Sequence, residues 1–313
     1  MLSSPLLYFP LLRTATKEVF DVKENATTNI HHHRIGKSDM VIIGGGGLLN
    51  QNDRWSLHLL QYCQAAGHCI VWSPGFNRHY DSEPPRRSEA GLLETAAAVA
   101  LRDTPHAFPA RPQTVTTMLD ASCLHSGLDQ CPAALEDASA ELALYSHFWY
   151  RTSLPANLTK PPTMLNNIGV SAACRLFAFL CGARAVLTTS YHGSLWATYL
   201  NRTALLADNV FSEKFEYMPF KLRRYPSEST APQLDGFAIR DHCRQQNRDF
   251  YATNVESHVA AVLDCSGADV KAKLDSNTFR RLPKANSSCE SARQRGRLHS
   301  AVNDNTFNGC DPR

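Results

Sequence analysis

The sequence predicts an α/β fold with parallel sheets, and three stretches carry that prediction. The first is Ser38-Asp-Met-Val-Ile-Ile43, a short apolar run that stops at Gly44-Gly-Gly-Gly47. It reads as a buried strand entering a turn whose backbone needs unusual φ/ψ or a close approach. The second, Cys69-Ile-Val-Trp72, ends at Ser73-Pro-Gly-Phe-Asn77. The third, Ala185-Val-Leu-Thr-Thr189, stops at Ser190-Tyr-His-Gly193, and a helical pattern begins at once. Strands alternating with helices in this way build a parallel sheet, whose strand C-terminal ends form ligand crevices.

The remaining elements follow in order. Trp55 to Gly67 has helical periodicity, with Leu57, Leu60 and Cys63 on one face and Gly67 as the C-cap. Glu89–Ala97 reads as a helix and Val99-Ala-Leu101 as a strand, followed by Arg102-Asp103. Thr114–Leu119 is a fourth strand, ending near Asp120-Ala-Ser-Cys123. Gly47, Gly75, Arg102 and Asp120 all fall at strand ends. In the second half, Ser171–Cys181 and Ser194–Leu200 read as helices, and Ala185–Thr189 and Ala204–Ala207 as strands, the last ending near Phe211-Ser-Glu-Lys-Phe215. Arg151–Pro162, rich in proline and polar residues, is the natural linker. The expectation is an N-terminal lobe over 1–150 and a C-terminal lobe over 151–263. A polar tail over 264–313 is expected to be poorly ordered.

Composition narrows the classes. The chain has 313 residues, 43% hydrophobic and 19% charged, enough for one large or two medium globular domains. A formal charge of +3 is too small to point to nucleic acid, and no nucleic-acid-binding motif is visible. No apolar run reaches bilayer length. Met1–Pro10 lacks the basic start and cleavage site of a signal peptide and reads as part of the fold. The ten cysteines include no Cys-x-x-Cys pair; the nearest neighbours are Cys63/Cys69, Cys174/Cys181 and Cys123/Cys131. Cys63, Cys174 and Cys181 lie in apolar patterns, where a thiol behaves as a small buried hydrophobe. His31, His32 and His33 read as an exposed loop without further ligands at metal spacing, so no metal is expected. Glycosylation sequons begin at Asn25, Asn157, Asn201 and Asn286 and matter only in a secretory lumen. The compartment stays open, cytoplasmic for a bacterial-type enzyme and the Golgi lumen for a eukaryotic secretory one.

His192 is the residue with the most chemistry. It stands where a strand gives way to a helix, beside backbone N–H groups and a helix dipole that favour anions. A histidine there hydrogen-bonds a phosphate or carboxylate and moves a proton near neutral pH. The plainer alternative is a buried histidine capping a turn.

These residues resemble the polysaccharide pyruvyl transferase family. Asp39-Met-Val-Ile-Ile-Gly-Gly-Gly-Gly-Leu-Leu-Asn50 resembles its glycine-rich loop. Val99-Ala-Leu-Arg-Asp103, with Asp120-Ala-Ser-Cys123, resembles its Arg-Asp and Asp segments. Thr188–Thr198, followed by Ser212-Glu-Lys-Phe215, resembles its histidine motif and basic segment. The resemblance spans about residues 39 to 221. Two departures stand out. Many members carry arginine where this chain has Ser190. Many also begin with an Asn-x-Gly-Asp segment, so a shortened N-terminal lobe is expected here.

The resemblance implies two Rossmann-like lobes in a GT-B-like arrangement. It also implies a transferase that moves the enolpyruvyl group of phosphoenolpyruvate to a sugar hydroxyl, forming a pyruvate ketal on a glycan. Phosphoenolpyruvate is then a co-substrate, with no cofactor. Its phosphate and carboxylate need fixed cations or helix ends, for which Arg102, Lys214, and the backbone at His192 and Gly193 are the candidates. His192 is the expected acid, or the group that holds the leaving phosphate. Gly45, Gly46, Gly47, Phe76 and Asn77 are candidates for the acceptor side or its loop. The donor is expected between the lobes, with His192 facing Arg102. Each residue has a duller role: an Arg102–Asp103 ion pair, a solvated Lys214, a tight turn at the glycines, and a core position for Trp196 and Tyr199. Two other functions fit the same plan. One is a nucleotide-sugar glycosyltransferase, whose ribose-gripping acid would be Asp208 or Glu213. The other is a non-catalytic glycan-binding remnant.

Overall fold

The computed structural model describes residues 5, 8, 9, 12, 16–20, 35–49, 53–76, 87–103, 115–131, 138–147, 161–165, 173–208, 213–225, 234–263 and 298–301. In chain order the elements are β1 (Thr16–Phe20), β2 (Met40–Gly44), β3 (Gly47–Leu49), α1 (Asp53–Ala65), β4 (His68–Trp72), β5 (Gly75–Phe76), α2 (Arg87–Thr95), β6 (Ala98–Leu101) and β7 (Val115–Thr117). There follow β8 (Ala140–Ser146), β9 (Thr163–Leu165), α3 (Ala173–Cys181), β10 (Ala183–Thr188), α4 (Tyr191–Tyr199), β11 (Thr203–Ala207) and β12 (Arg223–Tyr225). Last come α5 (Gly236–Asn254), α6 (Glu256–Leu263) and β13 (Leu298–Ala301). The fold is α/β with two parallel sheets, each the core of a compact unit.

One unit takes the described residues of Met1–Asn77, Ser82–Ala121 and Gln245–Asn305. Its sheet has the order β1-β13-β2-β4-β6-β7, parallel throughout. β2 and β4 are central and nearly continuous in apolar residues, as strands covered on both faces are; Ile43, Ile70 and Val71 are fully buried. Trp72 closes β4 inside an aromatic cluster, with Phe9, Phe250 and Tyr251 at centroid distances of 5.3, 5.2 and 6.2 Å. Its indole N–H donates to Asn247 Oδ1 at 2.9 Å, and Asn247 Nδ2 donates to the Leu119 carbonyl at 3.0 Å. Asn247 is thereby satisfied despite full burial, as a buried amide must be.

The helix expected from Trp55 runs over α1, and of the expected face Cys63 is buried, Leu60 half-buried and Leu57 exposed. Ser56, Leu59, Tyr62 and Cys63 point inward, while Leu57 is 44% exposed. Ser56 Oγ donates to the buried Glu89 on α2 at 3.3 Å, so a polar residue holds a place that hydrophobic periodicity gave to leucine.

The other unit holds the described residues of Ser122–Arg244. Its parallel sheet has the order β12-β11-β10-β8-β9. The division therefore falls between Ala121 and Ser122, where the sequence suggested 150/151, and the described residues from Gln245 on return to the first unit. Arg151–Pro162 does not join two lobes. Residues 151–160 lie outside the described residues, and β8 before them and β9 after them pair in one sheet. Of the tail expected to be poorly ordered, β13 is a strand lying between β1 and β2; its other residues, and His31, His32 and His33, lie outside the described residues.

The cysteines differ most from expectation. Cys63–Cys69, Cys123–Cys243 and Cys131–Cys181 are disulfides, so Cys63 and Cys181 are not buried thiols. Asn201 carries the one sequon within described residues. It sits in the left-handed region at φ 57°, and its Oδ1 accepts from the Gly236 N–H at 3.2 Å, which ties the carboxamide to the start of α5.

The edge of the first unit carries a pH response. The His68 and His258 rings stack at 3.7 Å. Burial, then the neighbouring His258, pushes His68 below its ordinary value, while a backbone hydrogen bond at Asn254 pulls the other way. A depressed histidine binds fewer protons folded than unfolded. Stability is thus full above about pH 6.5 and is lost as pH falls through the lowered folded value. Melting temperature should decline from pH 7.5 to 5, and His258→Ala should flatten that decline; matching slopes in both proteins would refute the pairing.

Candidate functional site at the rim of the second sheet

β10 lies centrally in its sheet, and its end sets the geometry of the histidine motif. Thr188 Oγ1 donates to the Tyr145 carbonyl at 2.6 Å and accepts from the Ser190 N–H at 2.9 Å, turning the chain out of the strand. Ser190 then caps α4, at φ −104° and ψ 129°, with its Oγ accepting from the Gly193 N–H at 3.3 Å. That use explains the serine: a short hydroxyl side chain satisfies a first-turn N–H, which arginine does not. The helix begins at Tyr191, three residues earlier than the sequence pattern, so His192 belongs to its first turn. Gly193 is fixed by packing, because a Cβ there would overlap the Tyr145 ring and lie 2.6 Å from Thr188 Oγ1.

Every residue of α4 except His192 is buried. Its imidazole stacks on Trp196, one helical turn on, at 5.3 Å and 29°, and meets the Tyr191 ring edge-on at 5.8 Å. Trp196 is itself pinned: its indole N–H donates to Ser122 Oγ at 3.0 Å, and Phe177 packs edge-on at 6.0 Å. Trp196 and Tyr199 are core residues, as expected, and Tyr199 Oη donates to Cys243 Sγ at 3.4 Å. The Glu213–Phe215 turn packs on the start of α4 through Phe215 and Tyr191, 6.0 Å apart. Lys214 in that turn is 8% exposed, with Nζ 5.4 Å from the Phe215 ring centroid, so it is no solvated loop lysine.

His147 went unnoticed in the sequence. It directly follows β8, half-buried, and its N–H donates to Thr189 Oγ1 at 2.7 Å. The signal was the run Ala140-Glu-Leu-Ala-Leu-Tyr-Ser146, a strand whose last residues precede a histidine.

The strand ends of the first unit bring together the glycines, Gly75 and Arg102. Gly45 and Gly46 have φ of 84° and 65°, which accounts for two glycines of the run. Gly44 is close to the Trp72 carbonyl, where a Cβ would stand 3.1 Å away. The Gly46 carbonyl accepts from the Gly75 N–H at 2.8 Å, and Gly47 opens β3, which pairs with β5. Arg102 is 2% exposed and Asp103 and Asp120 are fully buried. Arg102 Nε lies 3.5 Å from Asp103 Oδ1, and the guanidinium occupies the space a Gly75 Cβ would need. Burial, then Asp120, pushes the Tyr8 hydroxyl well above its ordinary value. Phe76 contributes backbone to β5, while Asn77 lies outside the described residues.

Among the described residues, no three His, Cys, Asp or Glu side chains gather as a metal site, and no helix is long and apolar enough to cross a membrane. Fold and rim together define a Rossmann-type α/β protein with a half-exposed histidine at a strand-to-helix junction. No family model and no curated protein matches the chain. Among solved structures, it is similar to the wall teichoic acid polymerase TagF, with a TM-score of 0.31 and 8% identity over 81% of this chain and 94% of that one. That distance carries no functional argument, and the fold class rests on the two parallel sheets.

Proposed function

We propose that the chain is a transferase of the polysaccharide pyruvyl transferase kind, moving the enolpyruvyl carbons of phosphoenolpyruvate onto a sugar hydroxyl as a pyruvate ketal. The observation that supports this is His192, the sole residue of α4 left unburied, held on the Trp196 face where a strand ends and a helix starts. An imidazole so placed serves an anionic donor: it hydrogen-bonds the phosphate and delivers a proton to the methylene carbon. Lys214, in the turn packed on Tyr191, supplies a point charge for the same donor. Arg102, expected from the resemblance to grip the donor, is enclosed beside Asp103 and Gly75, and in our reading shapes the first unit.

The test is phosphate release from phosphoenolpyruvate. Release should require a galactose- or mannosamine-bearing acceptor. His192→Ala should lower it by about 10²–10⁴-fold while leaving the melting temperature in place. Absence of acceptor-dependent release would end the reading. Thermal stabilisation by nucleotide sugars but not by phosphoenolpyruvate would favour a glycosyltransferase instead.

A further inference from the structure

The proposed reaction moves more protons than one imidazole handles in a single pass. In forming a ketal, C2 of phosphoenolpyruvate gains two bonds to sugar oxygens and loses its bond to the phosphate oxygen. The C2–C3 double bond gives its electron pair to a proton at C3. Two sugar hydroxyls each lose a proton; one proton ends on C3 and the other on the departing phosphate. A site with two proton-handling groups on one rim matches that balance.

The second sheet provides them. β8 and β10 are neighbouring parallel strands, with Leu144 opposite Leu187 and Tyr145 opposite Thr188. The pairing is prolonged past the strand ends by the His147 N–H donating to Thr189 Oγ1 at 2.7 Å. Neighbouring strands run about 4.8 Å apart, and residues two apart on a strand share a face. Tyr145 faces the first turn of α4, since its ring fills the space beside Gly193. His147 directly follows β8, and carrying the strand alternation on by two residues brings it to that same face, about 6.7 Å further toward the rim, on the side of the first turn of α4 that holds His192. Both histidines are half-buried, in a neighbourhood where Thr188, Thr189, Ser190 and Tyr191 are all buried.

We propose that His147 is the second acid–base residue of this site, acting on the acceptor; this rests on the pyruvyl-transfer reading above. His147 takes the proton of the first attacking hydroxyl while protonated His192 gives its proton to C3. In the second half, His192 takes the proton of the other hydroxyl, and protonated His147 gives its own to the leaving phosphate. Both groups return to their starting states, and no further reactant is needed.

The experiment follows phosphate release by the full chain from phosphoenolpyruvate with methyl β-galactoside, for wild type and His147→Gln across pH. Expected for the variant is a kcat about 10²–10⁴-fold lower, loss of the acid limb of the pH–rate profile, and unchanged thermal stabilisation by phosphoenolpyruvate. His147→Asn replaces it if glutamine lowers the melting temperature. An active wild type with a variant that keeps both its limbs and its kcat overturns the role of His147 alone. So does a variant whose only change is a higher KM for phosphoenolpyruvate. A wild type that releases no phosphate overturns the underlying reading as well.

Discussion

Replacing Cys123 and Cys243 together by alanine lowers the unfolding free energy by about 5 kcal/mol, the largest loss among the three cross-links. The reason is loop length. The three disulfides join residues 120, 50 and 6 apart in sequence. A cross-link removes entropy from the unfolded chain in proportion to the logarithm of the loop it closes. The expected losses are about 5, 4 and 2 kcal/mol for Cys123–Cys243, Cys131–Cys181 and Cys63–Cys69. The double variant should still fold, because other bonds hold the middle of α5, next to Cys243, in the same unit. Arg244 Nε donates to the Cys123 carbonyl at 2.7 Å, and its two terminal nitrogens each bond a carboxylate oxygen of Asp129 at 2.9 Å. Guanidinium unfolding of the three double-alanine variants reads the order directly. A loss for the Cys63–Cys69 pair equal to that for Cys123–Cys243 would refute the loop-length account.

Cross-linking also shows where sequence reading stopped. Strands β2, β4, β6 and β10 were legible because buried parallel strands are short, continuous apolar runs ended by glycine or polar residues. β8 escaped because Glu141 interrupts its apolar residues and no turn signal follows it. β13 escaped because four residues in a polar tail carry no pattern of their own; its parallel partners β1 and β2 give it a place. Disulfide partners are set by three-dimensional proximity, and a separation of 120 residues leaves no local trace. In the candidate site, His192 was legible because its strand–helix break is local. His147 was not, since its place beside Thr189 depends on which strand pairs with β10. Ser190 looked like a missing charge, and its capping role appears only once the helix is known to begin at Tyr191.

Replacing Arg102 by methionine should destabilise the first unit by about 3–5 kcal/mol, because it removes the cation beside a buried carboxylate. Asp103 is fully buried and Arg102 nearly so, with 3.5 Å between Nε and Oδ1. A carboxylate in that setting keeps its desolvation penalty when the guanidinium goes. Methionine restores part of the aliphatic stem and isolates the charge as the cause. One further measurement makes the argument specific. Arg102→Met with Asp103→Asn should be more stable than Arg102→Met alone, since the second change removes the carboxylate charge that the guanidinium faced. If Arg102 instead grips the donor, Arg102→Met would keep near-wild-type stability and lose stabilisation by phosphoenolpyruvate. Chemical denaturation and thermal shift on the same preparations separate a residue that holds the first unit together from one that holds the substrate.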